Sequence, residues 1–518
     1  MTNPRLASAR NGEPTAIYGT RHLHSRVAPG EEGARFARRC VDRTYHLVLI
    51  IGPGLGHCYS SFRRLLPEAR LIGLSLSGAL CAAQVTRPDG SWNHDGGEPL
   101  DDFLTRELCD LDASSVLVVE WPPVVAAFQD AALTVRTVVS SHLRRGYASL
   151  VTQGATGRRW LRNQVFNFCN ARPVTLSRSG SPVCAAVLVG SGPTAEWILP
   201  RLHAIRERLE LWVTSSALDA TIRHGLRPDV VVVTDAAVYA GEHLRPVVRG
   251  LLRDTPVAAP LSATRAISGC TQVALINEGD TVDQELFSRA RIRAPLIPPH
   301  GTVSATAAAL IRSTGRLPIV CTGIDFAFRG ERSHARPHLS ELYRRTGANR
   351  LLPEATQVYE LIRAHDRLDE NWTSSPSLLA YADWFRSVGS PRFKPIHSLA
   401  PSPAFDPDLH LDLERLESLE PRYSRIAAAR SPSAQQTRER IVLQTLGALL
   451  ETVREAAPPD RPRDLESSSP VFATLATRLA LPELLRWYRG DAASDRVCWD
   501  EVRMTVEREL RSIREGLR

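Results

Sequence analysis

An uninterrupted apolar run, Val183 to Val189, leads straight into Gly190-Ser191-Gly192-Pro193, and helical periodicity follows from Ala195 to Leu209. The rhythm then recurs. Leu211-Trp212-Val213-Thr214 precedes a helical stretch from Ala217 to His224, and Val230-Val231-Val232-Val233 ends at Asp235. Strands this short, apolar at every position, are covered on both faces, since a strand with one wet face alternates apolar and polar residues. Alternation of such strands with helices builds a parallel sheet, because each parallel return needs a crossover. Further strands are expected at Pro256 to Ala259, Val273 to Ile276 and Pro318 to Cys321. The predicted class is therefore α/β, with a Rossmann-like doubly wound parallel sheet in a central domain.

A smaller N-terminal α/β unit is expected ahead of it. Leu47-Val48-Leu49-Ile50-Ile51 reads as a strand, Gly52-Pro53-Gly54-Leu55-Gly56 as a turn into a helix, and Leu71 to Ser75 and Val116 to Glu120 as two more strands. Residues 1–42 are polar, rich in Gly and Arg and weakly patterned, which predicts a flexible segment. Beyond the centre, 411–456 and 471–518 carry helical periodicity, and the Pro/Ser-rich stretch 457–470 separates them. A length of 518 residues fits about three domains. The expected division is a flexible segment 1–42, an N-terminal α/β domain 43–165, the central Rossmann-like domain 166–345, a helical extension 346–400 and a helical C-terminal region 401–518.

The formal net charge of +8 invites a nucleic-acid reading, but basic residues are scattered among acidic ones along the chain instead of forming a stripe. Lys394 is the sole lysine, so no phosphate loop of the GxxxxGK[ST] type exists. Phosphate recognition would rest on backbone N–H groups, hydroxyls, His and Arg. The 9 cysteines form no CxxC pair, which leaves zinc and redox motifs without support and fits a reducing compartment. No apolar segment approaches the ~20 residues of a membrane span, and the N-terminus lacks the apolar core of a signal peptide. The expectation is a cytoplasmic protein without a membrane or nucleic-acid partner.

Four stretches offer chemistry. Gly190, Ser191, Gly192, Pro193 and Thr194 turn a strand into a helix, where backbone approaches an anion closely and the helix start presents free N–H groups. Ser215 follows the next strand. Asp235 ends the third, where an acid suits a ribose hydroxyl or a metal, or else caps a helix. Thr302 and Ser304 crowd the start of an Ala-rich helix. Gly323 and Asp325 close the strand Ile319 to Thr322, with His334 and His338 in the polar loop beyond. A loop histidine beside a crevice suits a general base, and either one singly is at least as often idle.

Taken in order, GSGP, RPDVVVVTD, GTVSATAAALI and GIDFAF with SHA resemble the motility accessory factor family, whose central domain is shared with 6-hydroxymethylpterin diphosphokinase MptE-like proteins. The resemblance covers roughly 166–345. The GIDF element and the hydroxyl-rich helix start are similar to those of bacterial sialyltransferases that use CMP-activated donors. It implies transfer of a nonulosonic acid, pseudaminic or legionaminic in type, from a CMP-sugar to Ser/Thr of flagellin. Gly190, Ser191, Gly192, Pro193, Thr194, Ser215, Asp235, Thr302, Ser304 and Gly323 would then hold the nucleotide, with Asp325 and His334 as the catalytic pair and His334 as the base. No cofactor or metal is required. Two alternatives stand beside it: pyrophosphoryl transfer from ATP to a hydroxymethylpterin, with Mg²⁺ on Asp235 and Asp325, and an inactive flagellin-binding accessory protein. The sequence departs from the family at Thr194-Ala195, where Ser-Leu is usual, and at Phe326-Ala327-Phe328, where Leu-Ala-Tyr is usual.

Overall fold

A computed structural model describes residues 4–315, 318–363, 365–387, 396–404, 409–430, 435–459, 464–489 and 495–516. Lys394 lies outside them. The chain divides into two compact units, Met1–Arg158 with Ala448–Arg518, and Arg159–Gly447.

In the first unit, β1 (Arg5–Ser8), β2 (Pro14–Tyr18) and β3 (Arg21–His22) form a small antiparallel sheet, followed by the helix Pro29–Cys40. The parallel sheet behind them has the order β6-β5-β4-β7, from β4 (Leu47–Ile51), β5 (Arg70–Ser75), β6 (Gly90–Asn93) and β7 (Val116–Glu120). β4 is buried along its whole length, as its apolar sequence requires.

The segment 1–42 is corrected by this structure. Ala16, Leu23 and Ala37 belong to the same buried core as β4. Its main anchor is polar: His24 Nε2 accepts from Leu55 N–H at 2.9 Å. Gly54 sits at φ +61, and a Cβ there would collide with the His24 ring, so that ring plugs the Gly52–Gly56 loop. A hydropathy pattern does not reveal such an anchor. The loop itself is buried throughout.

The second unit carries a nine-stranded sheet of order β18-β14-β9-β10-β11-β12-β13-β8-β19. Its strands are β8 (Pro173–Val183), β9 (Ala185–Val189), β10 (Leu209–Thr214), β11 (Val230–Val232), β12 (Val257–Pro260), β13 (Val273–Ile276), β14 (Ile319–Thr322), β18 (Ile396–Ser398) and β19 (Tyr423–Arg430). All pairings are parallel except β19 on β8. A separate small antiparallel sheet, β15-β17-β16, comprises β15 (Phe328–Arg329), β16 (Asp366–Arg367) and β17 (Trp372–Ser374). This is the Rossmann-like α/β class that the apolar runs predict. From β9 the chain steps outward through β10 to β13, then returns to β14 on the other side of β9. The direction of strand order reverses beside β9, and open α/β sheets bind ligands at the carboxyl ends of such a point.

The expected helical region 401–518 is also corrected. Helices Pro470–Leu479, Leu481–Arg489 and Asp495–Glu515 belong to the first unit, where Trp499 packs on Phe472 and Trp487. Residues 401–447 belong to the second, and Tyr423–Arg430, expected to be helical, is the strand β19. Its YSRIAAAR sequence favours a helix locally, but edge pairing with β8 and bonds to buried Glu210 override propensity. Glu210, wholly buried in β10, accepts from Ile426 N–H at 2.7 Å and from Arg178 at 2.9 Å.

Candidate functional site

The turn after β9 is closed by the turn after β14. Gly190 N–H donates to Thr322 O at 2.8 Å, and Gly192 N–H to Gly323 O at 2.6 Å. Gly323 takes φ +67, and side chains at Gly190 or Gly323 would drive each backbone into the other. Asp325 completes the closure from a buried position. Its Oδ2 accepts from Thr194 N–H at 2.8 Å and its Oδ1 from the Thr194 hydroxyl at 2.6 Å. That hydroxyl accepts in turn from Gly323 N–H at 2.9 Å. Burial pushes the Asp325 carboxyl up to about 6, although Thr194 pulls it the other way.

This latch changes the role expected of the glycine loop. The N–H groups of Gly190, Gly192 and Thr194 all have partners inside the protein, and Pro193 has none to offer. Those of Ala195 and Glu196, at the start of helix Ala195–Leu202, bond to Gly192 O and Pro193 O. The place where that helix would receive a ligand's phosphate is taken by the carboxylate of Asp325. Asp325 thus has both oxygens engaged by Thr194, and it also lines the adjoining pocket. Of the loop, Ser191 and Gly192 face an open pocket.

That pocket has a volume of about 240 Å³ and lies at the carboxyl ends of β9, β10 and β14. Ser191 comes from the first, Ser216 from the second, and Phe326 from the third. Ser216 Oγ donates to Ser191 Oγ at 3.0 Å. Helix Val303–Ser313 opens onto the pocket with Thr302, Val303 and Ser304. The Thr302 hydroxyl caps it by accepting from Ala305 N–H at 3.1 Å. The N–H groups of Val303 and Ser304 are left over, as at any helix start, and find no partner among the described residues. Nor does the Ser304 hydroxyl, in a residue only 8% exposed. Free N–H groups, an unpaired hydroxyl and the positive end of a helix give this wall what an anion needs.

His334 lines the pocket too, and its Nδ1 shares a hydrogen with Ser333 Oγ at 2.8 Å. The ring stacks on His338, with centroids 3.7 Å apart and planes inclined by 3°. Burial pushes His334 down to about 4, helped by the Arg344 guanidinium and by His243. The imidazole is therefore neutral at pH 7, with a ring nitrogen free to take a proton.

The remaining candidates fall elsewhere. Asp235 is exposed and absent from the pocket wall; its Oδ1 accepts from Ala237 N–H at 2.8 Å, turning the chain toward helix Val238–His243. Ser215 is buried off the wall, and its neighbour Ser216 takes the place expected of it. Gly190, Pro193 and Thr194 also lie outside the wall, whereas Gly323 is part of it. Sequence reasoning missed Ser216, Ser333, Phe326 and Leu378. The Ser216 neighbourhood was marked by the Thr-Ser-Ser run that ends β10, but the phase of the turn was unreadable. Among the described residues no group of three or more His, Cys, Asp or Glu is arranged to hold a metal ion. Nor is any helix there long and apolar enough to cross a membrane.

Fold and pocket together define an α/β protein of Rossmann-like design with a hydroxyl-rich crevice at its switch point. Comparison with known proteins narrows this. A Maf glycosyltransferase from Magnetospirillum magneticum AMB-1 superposes with a TM-score of 0.58 at 12% identity, over 100% of this chain and 92% of that one. The chain is thus similar in fold to that Maf glycosyltransferase. An uncharacterized protein of Treponema pallidum (strain Nichols) is 26% identical over 292 residues, which is 56% of this chain and 61% of that protein's length. No protein-family model matches the chain.

Proposed function

We propose that this chain is a glycosyltransferase that moves a nonulosonic acid, of pseudaminic or legionaminic type, from a CMP-activated donor to Ser/Thr hydroxyls of flagellin. The supporting observation is the convergence on one pocket of an uncommitted helix start, the hydroxyls of Ser191, Ser216 and Ser304, and a neutral imidazole at His334. The Maf-like fold and the ordered motifs point the same way. In this reading the donor phosphate rests on the N–H groups of Val303 and Ser304 and on the Ser304 hydroxyl. Those donors are fixed before the reaction, so they stabilise charge on the departing phosphate without rearranging. The acceptor oxygen bonds to the anomeric carbon as the bond from that carbon to the phosphate oxygen breaks. CMP leaves with the electron pair, and His334 takes the acceptor's proton on Nε2 while Nδ1–H donates to Ser333. A bound phosphate beside the ring favours its charged form, which lifts its basicity from the depressed value of the empty site.

Pyrophosphoryl transfer to a pterin has weaker support. It needs carboxylates for Mg²⁺, but Asp325 is committed to Thr194 and Asp235 is off the wall. Thermal shifts of the full chain separate the readings. CMP without metal stabilises it if the proposal is right. Stabilisation by ATP with Mg²⁺ and not by CMP would support the pterin reading instead, and no nucleotide response with flagellin still bound would leave an inactive accessory protein. Replacing His334 by Asn lowers kcat by roughly 10²–10⁴-fold while CMP still binds.

A further inference from the structure

An aromatic column leads from the surface to the pocket. Tyr343 lies 5.4 Å from Tyr239, Tyr239 lies 5.2 Å from His243, and His243 lies 5.2 Å from His338, which stacks on His334. Tyr343 and Tyr239 are 48% and 37% exposed, whereas His243 and His338 are each 6% exposed. The proposed chemistry uses only the last ring of this column.

We propose that His338 is a positioning residue, whose ring, backed by His243, fixes the His334 imidazole against the pocket and governs its protonation. The inference rests on the reading of His334 as the base. His338 Nδ1 accepts from Ser340 N–H at 3.2 Å and lies 2.7 Å from Ser340 Oγ, so its hydrogen sits on Nε2. That N–H is buried and has no partner among the described residues. As a cap for helix Leu339–Gly347, Asp would serve as well and leave no buried donor orphaned. A histidine kept here at that cost is explained by its flat face, parallel to His334.

The charges around the column fit this role. Arg344, on helix Leu339–Gly347, faces both His334 and His338 and disfavours a second positive charge on either. His243, on helix Val238–His243, does the same, while its own neighbours Asp219, Asp235 and Glu242 pull it toward the charged form. Burial dominates for all three histidines and holds each below its ordinary value.

His338→Asn and His338→Phe separate cap from ring, since Asn keeps the cap without the ring and Phe keeps a flat face without the cap. Histidine titration by NMR on the isotopically labelled full chain, with His334 assigned by the signal lost in His334→Asn, needs no substrate. In His338→Asn the His334 midpoint rises by about one unit or more, and in His338→Phe it stays within about half a unit. With donor and acceptor present, kcat of His338→Asn falls roughly tenfold with KM little changed, the signature of lost positioning. An unmoved His334 midpoint in His338→Asn overturns the proposal, as do equal shifts in both variants, which would make His338 a cap alone. Midpoints that move as described in a chain that transfers no sugar uphold the positioning role and refute the proposed reaction instead.

Discussion

Replacing Thr194 by Val tests the latch that holds the pocket open. The two side chains have nearly the same shape, so the change removes a hydroxyl and leaves no cavity. That hydroxyl donates to the buried Asp325 carboxylate at 2.6 Å and accepts from Gly323 N–H at 2.9 Å. A hydrogen bond to a charged group contributes about 1.5–3 kcal/mol, and a buried N–H left without a partner costs about 1–3 kcal/mol. The expected loss is about 3–5 kcal/mol, or on the order of 10 °C in the melting midpoint of the unit Arg159–Gly447. Thr194→Ser is the control. It keeps the hydroxyl and loses one methyl, worth roughly 1 kcal/mol. Urea titration gives the stabilities, and amide hydrogen exchange at Gly323 and Thr194 locates the effect. If Val and Ser differ by less than about 1 kcal/mol, the hydroxyl is not a structural bridge, and Asp325 becomes free for another role.

Three further outcomes follow from particular contacts. Glu210→Ala strands Arg178 in the sheet and is expected to cost about 3–5 kcal/mol in urea titrations; a cost near zero would mean the pair is not buried as described. Gly54→Ala forces a side chain against the His24 ring at positive φ, and should lower the melting midpoint and expose residues 5–28 to protease; an unchanged digestion pattern contradicts the plug. His243, His334 and His338 are all held below their ordinary values, so the unfolded chain binds more protons near neutrality. Their contribution to stability is complete above pH ~6.5 and falls as pH drops toward 4. Asp325, pushed up to about 6, works in the opposite direction over part of that range. Melting midpoints from pH 4.5 to 7.5 should fall on acidification less steeply in His338→Asn than in the wild-type chain, and equal slopes would refute the assignment.

The centre of the sheet is legible because its strands are mostly apolar. β9, β10 and β14 bury every residue and can be read from the sequence with little ambiguity. β19 was not, since Ala and Arg carry no strand signal and only pairing with β8 makes it one. The N-terminal segment escapes sequence reading for a related reason, since buried His24 and the scattered Ala16, Leu23 and Ala37 hold it without forming a pattern. At the site, the loop Gly190–Thr194 stood out, but what fills it did not. Thr194 meets Asp325 from 131 positions away, and nothing local in either stretch announces that carboxylate as the occupant of the helix start. Asn163 and Asn167 show the same limit. Both lie on the long helix Gln129–Asn170 and bond to backbone carbonyls beyond β11 and β12, at Ala236, Ser262, Leu261 and Ala263. Contacts between a side chain and a remote turn leave no periodic trace.

Calorimetric titration of the full chain with CMP and with cytidine isolates the phosphate. If the start of helix Val303–Ser313 is the anion-receptive wall, CMP binds about tenfold or more tightly than cytidine, and Ser304→Val removes most of that advantage while cytidine binding is unchanged. Equal affinity for the two, or a preference for CMP that survives Ser304→Val undiminished, would contradict it.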